Sequence, residues 1–136
     1  MFKKDNNNKE ITAATCLLLG IAKSDEKLEI SEINIVKEII ADFFQTDLNE
    51  IENIFDECIV ILNNSTDSFE FSKTLNNMFS YQDKLDFICC AFEVAYSDSE
   101  LHYLEEHFIK KIANTLNVEH QDLIKSKLDM KAYLEK

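Results

Sequence analysis

"IAKSDEKLEISE" occupies Ile21–Glu32 and "VAYSDSELHYLE" occupies Val94–Glu105, an offset of 73 residues. Both write Ala, one variable residue, Ser-Asp, two variable residues and Leu, and both place a Glu seven residues after the Asp. The flanks decide whether this is turn chemistry or architecture. Laid on one another, residues 11–39 and 84–112 match at eight positions: Cys16/Cys89, Ala22/Ala95, Ser24/Ser97, Asp25/Asp98, Leu28/Leu101, Glu32/Glu105, Lys37/Lys110 and Ile39/Ile112. Most other pairs keep their polarity, as in Ile21/Val94, Ile35/Phe108 and Val36/Ile109. The chain therefore carries a duplicated helix–loop–helix. Two like helix pairs of this length are expected to pack about a pseudo-twofold axis, with the other helices as connection and cover.

Composition supports an all-α reading. The 136 residues fit a single domain, and 46% of them are hydrophobic, enough for a real core. There is no Pro and one Gly, Gly20. Sandwiches and α/β folds, with their many tight turns, need both residues far more often. Apolar spacing of three and four then gives seven helices. Helix one, about 9–23, aligns Ile11, Ala14, Thr15, Leu18, Ile21 and Ala22. Helix two, about 30–44, aligns Ile33, Val36, Ile40, Phe43 and Phe44. Helix three, about 47–63, has the cleanest stripe, from Ile51 through Phe55 and Cys58 to Leu62. Helix four, about 67–79, starts at an expected capping box of Asp67 and Glu70. Helices five, six and seven fall at about 81–96, 102–116 and 119–134, with Leu123, Leu128 and Leu134 as the expected apolar face of the last. Residues 1–8 are polar and Asn-rich and read as a flexible arm ahead of a domain at 9–136.

A formal charge of −12 makes nucleic acid and anionic membrane surfaces poor partners. Basic protein surfaces and cations are the natural counterparts. Two Lys ahead of an apolar run mimic a secretory signal, but Asp5 and Glu10 intervene and the segment recurs internally at 84–98, so it reads as a core helix. No apolar run has the length of a membrane span. Cys16, Cys58, Cys89 and Cys90 lack Cys-x-x-Cys spacing and sit in apolar helical contexts, which is the pattern of buried, reduced thiols in the cytoplasm. His-Glu-x-x-His and Glu-x-x-His are absent, and one Gly cannot build a phosphate loop or a nucleophile elbow. The three His lie on polar stretches, where solvated surface positions are the simplest reading; His102, in the place of Glu29, is a peripheral candidate ligand.

At the duplicated phrase the chain resembles the TerB-like family, named for a tellurite-resistance protein and also seen fused to a DnaJ-type co-chaperone. That family writes Ala-x-x-Asp-Gly-x-hydrophobic, with a Glu entering the next helix, twice in a seven-helix domain. Here the copies read "AKSDEKLEISE" and "AYSDSELHYLE", and the resemblance spans about residues 11–124. Both copies depart from it at the Gly, which is replaced by Glu26 and by Ser99. The resemblance implies that Asp25, Glu32, Asp98 and Glu105 are metal ligands. Four converging carboxylates would select a hard divalent cation such as calcium, magnesium or manganese. Local roles explain the same residues, since Asp turns a chain and a Glu near a helix start satisfies free amides. An EF-hand is a poorer fit, because the Asp/Asn alternation and central Gly are missing from both loops.

The resemblance implies a cytoplasmic, non-enzymatic module that binds protein partners in a bacterial stress or envelope-associated system, with a homodimer compatible. Two rivals stand beside it: an acidic helical homo-oligomer or adaptor without metal, and a metal-dependent hydrolase built on the four carboxylates.

Overall fold

The computed structural model describes residues 4–23, 29–64, 68–97 and 103–135, with side chains from Lys9 onward. Among them lie seven helices: α1 Lys4–Lys23, α2 Ile30–Phe44, α3 Leu48–Asn63, α4 Phe69–Met78, α5 Tyr81–Ala95, α6 Tyr103–Thr115 and α7 His120–Leu134. No strand occurs among the described residues. The fold is all-α, as the apolar periods require.

Local chemistry sets the ends. Glu29 and Glu32 close a capping box on α2, with the Glu29 amide donating to Glu32 Oε1 at 3.2 Å. The Asp47 carboxylate accepts from the Asn49 amide at 3.1 Å and starts α3. Ser80 and Asp83 form the reciprocal box of α5. Gln45 and Asn117 stop α2 and α6 in left-handed conformations, at φ 53° and 61°. Asp67, expected to cap α4, lies outside the described residues; Ser68 holds the cap position there. Helix α1 begins at Lys4, earlier than the position near residue 9 expected from its apolar stripe. Once a helix is nucleated, each further residue adds a hydrogen bond, so polar residues extend it without a face to bury.

Packing follows the duplication. Helix α1 contacts α2 as α5 contacts α6, the cross pairs α1–α6 and α2–α5 also touch, and α1 meets α5 at the centre. That arrangement is the expected pseudo-twofold. Helices α3 and α4 cover α1, and α7 packs on α5. Equivalent positions are buried alike: Ala22 and Ala95, Ile21 and Val94, Val36 and Ile109. The central helix is buried all round, since Ala13, Cys16, Leu17 and Leu19 are as covered as the stripe from Ile11 to Ala22. Rings from the ends of α2 and α4 (Phe43 and Phe79) and from the middle of α5 (Phe87) gather with centroids 5.7–6.2 Å apart and lock α2 and α4 to α5. The expected face of α7 needs correcting: Leu123 is buried, but Leu128 and Leu134 are exposed by 57% and 42%. Helix α7 packs chiefly on α5, so its apolar positions outnumber those that can be covered.

Candidate functional site

Of the four carboxylates that the duplicated phrase singles out, Asp25 and Asp98 lie outside the described residues, as does His102. Glu32 is half-buried in the first turn of α2 and takes part in the capping box, the local role anticipated for it. Glu105 occupies the first turn of α6 and is 2% exposed, far more enclosed than a surface cap requires. Among the described residues, no group of three or more His, Cys, Asp or Glu is placed to hold a metal ion.

A different constellation emerges from the packing. A cleft of about 640 Å³ opens where α2, α5 and α7 meet. Its α2 wall is Ile35, Glu38, Ile39, Asp42 and Phe43, a three-and-four spacing that lays two carboxylates among three apolar side chains on one helix face. The α5 wall supplies Cys90 and Glu93, continued by Tyr96 and Ser97 just past the helix end. The end of α7 contributes Lys131, Leu134 and Glu135. Four carboxylates thus face one ammonium across partly apolar walls.

The electrostatics of this cleft are strained. Burial, then Asp42 and Glu38 across the seam, raise the Glu93 carboxyl above its ordinary range. Burial and the adjacent Glu93 push the Cys90 thiol up to about 12. The Tyr96 hydroxyl is held above its usual range chiefly by burial, with Lys127 opposing and Glu106 and Glu135 adding to it. Desolvation and like charge act in the same direction at each group, so the cleft favours whatever brings positive charge into it.

The pseudo-twofold explains why the cleft exists. At the offset of 73, Glu93 stands where Gly20 stands, and Ile35 where Phe108 stands. On the first side the Phe108 ring seats on the bare backbone of Gly20, whose Cβ, if present, would lie 3.1 Å from Phe108 Cζ. There Leu62 and Phe71 close over the seam and leave about 270 Å³. On the second side a Glu replaces the Gly, Ile is shorter than Phe, and the seam stays open.

The thiols divide into two kinds. Cys16 and Cys58 are buried, and the Cys58 thiol reaches the Thr12 carbonyl at 3.5 Å. A hydrogen bond with Cys16, followed by burial, raises Cys58 far above an ordinary thiol. Cys89 and Cys90 are half-buried, so the expectation of four fully buried cysteines holds for two. Burial, opposed by a hydrogen bond with Ser126, raises Cys89 as well.

The sequence reading missed the cleft because its acids sit on separate helices. The signal was the mismatch Gly20/Glu93 within the repeat, a change from no side chain to a charge at an inter-helix seam.

Among the described residues, seven helices, four of them in two like pairs, make a small all-α domain. A family model described as tellurite resistance protein TerB matches residues 11–128, and the chain belongs to that family. No curated protein and no solved structure matches the chain. No helix among the described residues is long and apolar enough to cross a membrane.

Proposed function

We propose that the chain is a non-enzymatic protein-interaction module of the cytoplasm, serving a bacterial stress or envelope-associated system, with the cleft between α2, α5 and α7 as its docking surface. Domains of the TerB family are often interaction modules. The observation that carries the reading for this chain is the cleft itself: about 640 Å³ of partly apolar space bordered by Glu38, Asp42, Glu93 and Glu135. A pocket of this size is in the range that buries a ligand or a few side chains. The test is capture from a native lysate on the immobilised chain, followed by size exclusion of the eluate. An interaction module retains a partner that co-elutes at fixed stoichiometry. A purely structural acidic homo-oligomer retains only further copies of itself, and that result would remove the reading.

A second reading rests on the duplicated Ser-Asp phrase and its following Glu. Glu105 is almost fully enclosed at the start of α6, three residues beyond the segment that carries Asp98. The family resemblance would make Glu105 a ligand, together with Asp25, Glu32 and Asp98, of one hard divalent cation. If the site exists, calcium, magnesium or manganese at a hundredfold excess over its Kd raises stability by about 2.7 kcal/mol. Asn at both positions 25 and 98 keeps the turn-forming oxygen and removes the charge, so Asp25→Asn with Asp98→Asn abolishes the shift. Superimposable melts of the wild-type chain in the three cations and in chelator leave only the capping roles.

A further inference from the structure

We propose that the occupant of the α2/α5/α7 cleft is a cationic amphipathic helix of a partner protein, its basic side chains set against Asp42 and Glu93 and its apolar ones against Ile35 and Leu134. This rests on the interaction reading and names the chemistry of the partner. The length of the cleft is the first argument. Its α2 wall runs from Ile35 to Phe43, about 12 Å at 1.5 Å per residue, or two turns. An incoming helix of matching length presents two or three side chains, one turn apart, to such a groove. The second argument is the alternation of the wall, which sets each carboxylate one turn from the next and places an apolar residue beside it. A partner that matches both must itself carry positive and apolar side chains at helical spacing.

Charge and geometry exclude the rival occupants. A second copy of this chain brings a further −12 to a face that is already acidic. Nucleic acid and anionic lipid are repelled for the same reason. The carboxylates of the cleft do not converge as a metal-binding group. A small polycation would answer the charges but leave the half-buried Ile35 and the exposed Leu134 uncovered. The like-charge strain on Glu93 is relieved by cations brought from outside. Among the described residues, this seam is the more open of the two that the duplication relates, since Phe108 covers Gly20 in its counterpart.

The test uses the full chain and a synthetic fluorescent peptide of fourteen residues, with Leu and Lys at helical spacing. Anisotropy is followed with the wild type, with D42N/E93Q, and with D56N/E57Q, which removes the same charge from exposed positions on α3. Circular dichroism confirms that all three are folded. Removing these two of the four cleft carboxylates is expected to weaken binding about tenfold or more, while the α3 control changes it by less than about twofold. A scrambled peptide of identical composition is expected to bind about tenfold more weakly, because it cannot present both faces at once. Absent binding, equal losses in the two variants, or equal binding of the scrambled peptide overturns the proposal, and so does displacement of the peptide by spermidine at equal concentration. Failure here is separable from failure of the interaction reading. If wild type and D42N/E93Q retain the same lysate partner at the same stoichiometry, the module stands and this cleft is not its cationic-helix site.

Discussion

Replacing Gly20 by Ala tests whether the closed seam of the duplication is held by close approach or merely tolerates it. Gly in a helix interior is about 1 kcal/mol less favourable than Ala, so the backbone gains that much from the change. Against this stands the Phe108 ring, with Cζ 3.1 Å and Cε1 3.6 Å from the new Cβ. Carbon atoms prefer about 3.5–4.0 Å, so the ring must retreat by about half an ångström. It has somewhere to go: Phe108 is half-buried and borders the cavity of about 270 Å³ that it shares with Gly20, Leu62 and Phe71. The net expectation is a gain of about 0.5 kcal/mol, a rise in Tm of roughly 2 °C for a domain of this size. Gly20→Leu has no such escape and should lose about 1–3 kcal/mol to overpacking. Differential scanning calorimetry of the three proteins reads both. A fall in Tm for Gly20→Ala would show that the ring cannot move, and the account of that seam as loosely covered would be wrong.

Three further outcomes are expected. Thr15 is wholly buried in α1 and its Oγ1 finds no hydrogen-bond partner among the described residues, so Thr15→Val should stabilise by about 1–2 kcal/mol in urea melts; a loss would reveal a partner for the hydroxyl. Glu93 has its folded carboxyl raised above 4.5 by burial, Asp42 and Glu38, with Cys90 on its own helix and Lys131 and Glu135 of α7 also facing the cleft. The folded state therefore holds that proton more tightly than the unfolded state. Its stabilising effect is full below about pH 4.5 and is lost as pH rises through the raised value. Glu93→Gln should accordingly melt higher than wild type at pH 7 and converge with it in acid, and parallel curves across pH would refute the assignment. Finally, the raised thiols of Cys89 and Cys90 should label slowly with iodoacetamide at neutral pH and faster at alkaline pH, with Cys16 and Cys58 labelled only on unfolding. Rapid reaction of Cys90 at pH 7 would contradict its burial.

Much of the architecture was legible before any coordinates. The span 30–44 was recoverable to the residue because Glu32 closes a box at one end and the apolar period stops at Phe44. The pseudo-twofold followed from Ala22/Ala95 and Val36/Ile109, whose small or branched side chains occupy equivalent buried places. What escaped was set by tertiary context. Helix α1 reads as amphipathic but is enclosed on every side, because five other helices contact it. Leu128 reads as core but is exposed, and Leu134 borders the open cleft, because helical spacing shows that a face is apolar and not that anything lies against it. The Glu105 carboxylate was anticipated as a ligand or a cap, and its near-complete burial is a property of the packed bundle. The cleft acids were invisible as a group: Glu38 and Asp42 look like the solvated side of α2 until α5 brings Glu93 against them.

Hydrogen–deuterium exchange of the full chain, free and bound to the partner captured from lysate, tests the central claim most directly. Docking in the cleft predicts added protection in residues 35–43, 90–97 and 131–135, the three segments that line it, with α3 unchanged. Protection confined to α3 and α4, with those three segments exchanging as in the free chain, would contradict it.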